Sequence, residues 1–116
     1  LGIINAADRV RVGAVGGDTP DETFQKGSAC IISNSGNMVN TIATYLKSAG
    51  LGISYGISTG KDPLILTTLR DLLPLAIKDP RTKLIIWTPK RSARFQATPF
   101  TACSFSAAGM TNLQIL

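Results

Sequence analysis

The stretch GSACIISNSGNMVNTIATYLKSAGLGISYGISTGKDP, residues 27–63, decides the fold. After Gly27 comes SACIIS (28–33), a short apolar run of the kind found in strands covered on both faces. The polar turn NSGN (34–37) follows at once. Met38, Val39, Ile42, Ala43, Tyr45, Leu46 and Ala49 then recur at spacings of three and four, which predicts a helix over 37–49. Gly50 is the residue type that commonly ends a helix. Residues 51–58, LGISYGIS, read as a second strand in which Gly52 and Gly56 allow close packing.

Working outward, Asp62 and Pro63 offer a helix cap followed by a first-turn proline. The apolar positions of 64–77 predict a second helix, unusually apolar and well buried, with Pro74 kinking or shortening it. The turn 78–83 leads into a third strand, LIIW (84–87). Strand–helix–strand–helix–strand implies parallel pairing with right-handed crossovers. The fold class is therefore α/β, a three-layer, doubly wound parallel sheet. Upstream, residues 1–26 are a linker in which Val10, Val12 and Ala14 alternate as a short edge strand does. Downstream, residues 88–116 hold no acid, three of the four Phe and no persistent pattern.

The chain has 116 residues, 44% apolar and 16% charged, which describes one globular domain and not a disordered one. No apolar run approaches the ~20 residues that span a bilayer, so no membrane association is expected. The first residues lack the apolar stretch of a signal peptide. The sequence begins at Leu1, which suggests a piece of a longer protein. There is no histidine. Histidine-based triads and metal sites are thereby excluded within these residues, and no metal is expected. Two cysteines, Cys30 and Cys103, are too few for a disulfide framework and point to a reduced, cytoplasmic compartment. The net charge of +5 divides as +2 over residues 1–89 and +3 over 90–116, where Lys90, Arg91 and Arg94 stand without an acid. That is weak support for nucleic-acid binding, and none is expected.

In open parallel sheets ligands bind beyond the carboxyl ends of the strands. Residues 33–37, 58–62 and 88–90 converge there. Strand, then Ser33-Asn34-Ser35-Gly36-Asn37, then helix puts free backbone N–H groups and the positive end of the helix dipole at one place. Ser35 supplies a hydroxyl and Gly36 lets a ligand approach the backbone. These residues leave two readings open: Ser35 or Asn34 merely caps the helix, or the turn binds an anion. Lys61, in the loop after the second strand, either faces the same anion or is simply solvated. Neither a GxxxxGK[ST] loop nor a GxGxxG fingerprint is present. Cys30 reads as a small core residue and Trp87 as core.

Residues 27–63 resemble the ligase-type flavodoxin-like domain of the succinyl-CoA synthetase α subunit, a family that includes NDP-forming acyl-CoA synthetases and part of ATP-citrate lyase. The resemblance rests on Ser33-Asn34-Ser35-Gly36 (S-x-S-G), on Gly50-Leu51-Gly52, and on Ser58-Thr59-Gly60-Lys61-Asp62 before Pro63. DPRTKLII (79–86) resembles the segment before the family's third strand, and 12–27 resembles its linker, so the likeness covers roughly residues 1–87. It implies a flavodoxin-like sheet, here incomplete: a partial domain over 27–87 and a divergent basic tail over 88–116.

The resemblance also implies that the helix N-terminus faces a phosphohistidine during phosphoryl transfer to an acid. Ser35, Gly36 and Asn37 would then bind the phosphoryl group, with Ser33, Thr59, Gly60 and Lys61 as secondary anion contacts. Three departures stand against a complete catalytic set. Trp87-Thr88-Pro89-Lys90 replaces the family's E-x-G-G turn, no histidine is present, and Asn34 stands where Arg is common. The expectation is a CoA-ligase domain inactive by itself. Phosphate is its ligand, and CoA and nucleotide belong to a fuller assembly. A ligase β subunit or another chain would supply the missing elements, in the cytoplasm or the mitochondrial matrix. A shifted reading frame after about residue 87 would explain the tail. The alternative is a non-catalytic interaction or oligomerisation module, a homo-oligomer built through the apolar second helix or an open sheet edge.

Overall fold

The computed structural model describes residues 1–88, 101–106 and 109–115, the last two segments as backbone strands. β3 (Lys26–Ser33) is the middle of the sheet, flanked in parallel by β4 (Ile53–Ser58) and β5 (Leu84–Thr88). α2 (Gly36–Ser48) connects β3 to β4, and α3 (Leu69–Lys78) connects β4 to β5. They lie on opposite faces, which makes the three layers. This arrangement matches the α/β, flavodoxin-like architecture read from the sequence.

The sheet is mixed rather than wholly parallel. β1 (Gly2–Asn5) pairs antiparallel with β4, and β2 (Val10–Gly13) pairs antiparallel with β1. The turn 6–9 joining β1 to β2 is far too short for the crossover that parallel strands require. The edge strand expected near Val10 is β2; β1 carried too few apolar positions to be recognised. At the other side β6 (Thr101–Ser106) pairs antiparallel with β5, and β7 (Gly109–Ile115) with β6. The seven-strand order is β2-β1-β4-β3-β5-β6-β7. The open edge expected beside a three-stranded sheet is thus paired on both sides, and the patternless tail contributes a hairpin. Residues 89–100, which include Lys90, Arg91 and Arg94, lie outside the described residues.

One face is sealed by α2. Val39, Ile42 and Ala43 pack against Ile31 and Ile53, with Ile4, Val15 and Phe24 completing the cluster. Phe24 follows the short helix α1 (Pro20–Thr23), inside the stretch read above as a linker. Tyr45, counted with the apolar face above, is 72% exposed. β4 carries a bulge: Ala29 faces Ile53 but Cys30 faces Tyr55. Beyond it Gly56 lies against α2, where an added Cβ would come within 2.9 Å of Val39 Cγ1. The side-chain alternation of a strand then puts Ser58 on the same face.

The other face carries Cys30, Ile32 and Ile85 beneath Ala76 of α3. Burial pushes the Cys30 thiol up to about 12, consistent with the core role expected of it. The second helix departs from expectation. It begins at Leu69, capped by Thr68, and not at Asp62. The backbone N–H and hydroxyl of Thr68 both donate to the Asp71 carboxylate, at 2.8 and 2.7 Å. This T-x-x-D pairing fixes the start a turn and a half later than the Asp62-Pro63 signal. Leu64 and Leu66, left outside the helix, are 77% and 86% exposed, and within it only Ala76 is buried. Pro74 is accommodated inside the helix.

Candidate functional site

The carboxyl edge of the parallel strands ends in a row of hydroxyls. Ser58, Ser33 and Thr88 are register neighbours across β4, β3 and β5, and all three are buried. Two of them are satisfied. The Thr88 hydroxyl donates to Ser33 Oγ, which also accepts the Ser35 N–H at 3.0 Å. The Ser33 carbonyl accepts the Thr59 N–H at 2.8 Å and lies 3.5 Å from the Thr59 hydroxyl. Ser33 therefore works as an internal tie that holds the turn after β3 and the loop after β4 in fixed relation.

That tie sets the start of α2. Ser35 occupies the cap position with extended backbone, and its side chain makes no capping bond. Its carbonyl accepts the Val39 N–H. The first-turn amides of Gly36, Asn37 and Met38 precede the first possible i→i−4 partner inside the helix, so they point outward as donors. The dipole adds partial positive charge at the same end. Behind, the Asn40 side chain accepts the Gly16 N–H at 3.1 Å, fixing the helix against the β2–α1 loop.

Ser58 differs from its two neighbours. It is 2% exposed, and its Oγ has no hydrogen-bond partner. The atom lies 3.9 Å from where a Cβ on Gly36 would stand. An unsatisfied buried hydroxyl thus faces the first residue of α2. The sequence reading placed Ser58 at the end of the second strand, opening the 58–62 loop, and gave it no contact with the anion; the signal available was a hydroxyl closing a strand as Ser33 does.

The structure brings Ser33, Ser35, Gly36 and Thr59 together at this edge. Asn37 is in the exposed first turn, where its carbonyl accepts the Thr41 hydroxyl at 2.8 Å. Gly60 takes a positive φ of 87° at the loop tip, and Lys61 beside it is exposed and forms no ion pair among the described residues. A cavity of about 160 Å³ adjoins the row, with Ser33, Asn34, Thr59 and Thr88 on its polar side and Ile65 and Trp87 on its apolar side. Trp87 also packs against the Cys30–Ile32 cluster, so its core role and its cavity wall coexist.

The strong charge coupling lies elsewhere, at the amino ends of the strands. Arg81 ion-pairs with Asp79 at 2.9 Å and with Asp8 at 3.2 Å, and its guanidinium sits 5.1 Å from the Tyr55 ring centroid. Hydrogen bonding from Arg81 holds the Asp79 carboxyl far below the usual carboxylate range, and hydrogen bonding to Asp79 raises the Tyr55 hydroxyl. This cluster ties β4, the α3–β5 turn and the β1–β2 turn together. The carboxyl edge, by contrast, offers neutral donors. It is suited to holding an oxyanion, and among the described residues it contains no group that takes a proton near neutral pH.

Comparison with known proteins shows what the chain is similar to. Residues 26–89 match the succinyl-CoA ligase like flavodoxin domain. The α subunit of an ADP-forming succinate–CoA ligase from Aquifex aeolicus is 36% identical over 70 residues, 60% of this chain and 23% of that one. A subunit of an ADP-forming sulfoacetate–CoA ligase from an Acholeplasma species is 33% identical over 66 residues, 57% of this chain and 22% of that one. Among solved structures, a dinucleotide-forming acetyl-coenzyme A synthetase of Ca. Korarchaeum cryptofilum, in its apo form, superposes with a TM-score of 0.61 at 26% identity. That match covers 80% of this chain and 19% of the other. The chain spans between a fifth and a quarter of the length of the curated relatives.

Proposed function

The chain belongs to the family of succinyl-CoA ligase like flavodoxin domains, and from that premise we propose that it is the phosphoryl-binding part of an acid–CoA ligase, with no turnover by itself. One observation carries the reading. The start of α2 has no side-chain cap, lies at the carboxyl edge of the parallel strands, and falls inside the matched segment. Gly36 and Asn37 amides and the Ser35 hydroxyl form the anion contact. Ser33 and Thr59 hold the turn in place, with Gly60 shaping the loop that carries Lys61. The ligand is phosphate, or a phosphoryl group presented by another chain. The 116 residues contain no histidine and no E-x-G-G turn, so a ligase β subunit or a further segment supplies the group that carries the phosphoryl. CoA and nucleotide bind the larger assembly. The relatives named as ligase subunits support a partner chain of this kind. No helix among the described residues is long and apolar enough to cross a membrane, and the proposed setting is the cytoplasm.

The test is a two-dimensional amide spectrum of the 116-residue chain titrated with inorganic phosphate. Saturable shifts centred on Ser35, Gly36 and Asn37 are expected. A well-dispersed spectrum indifferent to phosphate refutes the reading.

A second reading, an interaction or homo-oligomerisation module on the same scaffold, is favoured by the outer face of α3. Leu69, Leu73, Pro74 and Ile77 line an open apolar groove of about 550 Å³, and Leu75 is exposed on the same helix. Concentration-dependent sedimentation together with an absent phosphate response would support it over the first.

A further inference from the structure

The reading above uses backbone amides and the cap serine; it leaves unexplained the Ser58 hydroxyl. Ser58 Oγ is the sole buried side-chain oxygen or nitrogen without a partner among the described residues. The equivalent hydroxyls on the next two strands on one side, Ser33 of β3 and Thr88 of β5, bond to each other. Buried hydroxyls are nearly always paired, because leaving one unsatisfied forfeits its hydration with nothing in return. An exception placed at the start of a helix, on the edge where open parallel sheets bind ligands, indicates a partner that arrives from outside.

The geometry points to Ser58 as a binding residue of the anion site: its hydroxyl donates to one oxygen of a tetrahedral phosphate-class oxyanion seated at the first turn of α2. The assignment rests on the phosphoryl-site reading and adds to it a side-chain donor from a second strand. Three facts define the arrangement. Ser58 Oγ stands 3.9 Å from the Cβ position of Gly36, and among the described residues, the flanking residues and the helix's own backbone aside, no other heavy atom lies within 4 Å of it. Gly36 has no side chain to fill the gap. The strand register fixes Ser58 beside Ser33, whose carbonyl and hydroxyl anchor the Thr59 and Ser35 amides. The anion would then be held by amides from above and a hydroxyl from below. Such a set suits an oxyanion with oxygens pointing in several directions more than a planar carboxylate.

The experiment compares the unmodified chain with Ser58→Ala in titrations with inorganic phosphate, read by the Gly36 and Asn37 amide shifts. A hydrogen bond from a neutral donor to a charged acceptor is worth enough to predict a dissociation constant ~10–100-fold weaker in the variant. In the unmodified chain the Ser58 Cβ resonance should move along the same saturation curve as the Gly36 amide. Binding in Ser58→Ala within twofold of the parent overturns the assignment while leaving the phosphoryl-site reading standing. So does a stationary Ser58 Cβ resonance, which decides the matter even if the variant fails to fold. Absence of any phosphate response in the unmodified chain removes the phosphoryl-site reading itself, and this assignment with it.

Discussion

Replacing Ser58 by Ala should stabilise the protein in phosphate-free buffer. The side chain is 2% exposed and its hydroxyl is unpartnered, so folding strips it of water without compensation, a penalty of about 1–3 kcal/mol. Alanine removes the penalty and leaves a gap of one oxygen, which forfeits a few contacts of ~0.1–0.2 kcal/mol each. The net gain is about 1 kcal/mol or more, an upward Tm shift of roughly 3–6 °C per kcal/mol at this chain length. Thermal melts followed by far-UV circular dichroism measure it. Phosphate should erode the advantage. At 100 times its dissociation constant, ligand adds ~2.7 kcal/mol to the parent, whereas a tenfold weaker variant gains only ~1.4 kcal/mol at that concentration. The gap thus moves by ~1.3 kcal/mol toward the parent. A Tm that falls in phosphate-free buffer would mean that Ser58 has a structural partner, and would refute the argument.

Gly56→Ala places a methyl 2.9 Å from Val39 Cγ1 and 3.0 Å from Ile4 Cγ2, between α2 and the sheet. It should destabilise by about 1–3 kcal/mol in urea denaturation, and an unchanged midpoint would show that α2 can shift freely. The Asp79 carboxyl is depressed by its bond from Arg81. Its stabilising contribution is therefore present above the unfolded carboxylate value of about 3.9, and is lost as pH falls through the lower folded value. Asp79→Asn should be less stable than the parent at pH 7, with the difference shrinking below about pH 4. Parallel stability curves across that range would contradict the pairing.

The central order β3-α2-β4 was legible because each piece rests on local pattern. SACIIS is apolar on both faces, the spacing from Met38 to Leu46 is helical, and Gly50, with a φ of 73°, ends the helix as read. The position of a turn at residues 33–37, and hence of free amides at Gly36 and Asn37, follows from the same local chemistry. The second helix was legible only in part. Asp62-Pro63 and Thr68-x-x-Asp71 are competing start signals of similar strength, and hydrogen bonding to Asp71 decided for the latter.

The sequence by itself determined the fold class, the parallel trio of strands, the edge strand at Val10 and the turn between β3 and α2. Periodicity, glycine placement and cap chemistry act over a few residues, so a reader of the chain meets them directly. Tertiary structure alone decided that β1 lies antiparallel on β4, that 101–115 extends the sheet as a hairpin, and that Tyr45, Leu64 and Leu66 face solvent. It alone separated Ser58 from Ser33, two serines closing similar strands. Ser33 finds a hydroxyl and an amide within reach, and Ser58 finds none. Whether a polar group is satisfied depends on atoms brought from distant segments by packing, which no local pattern records.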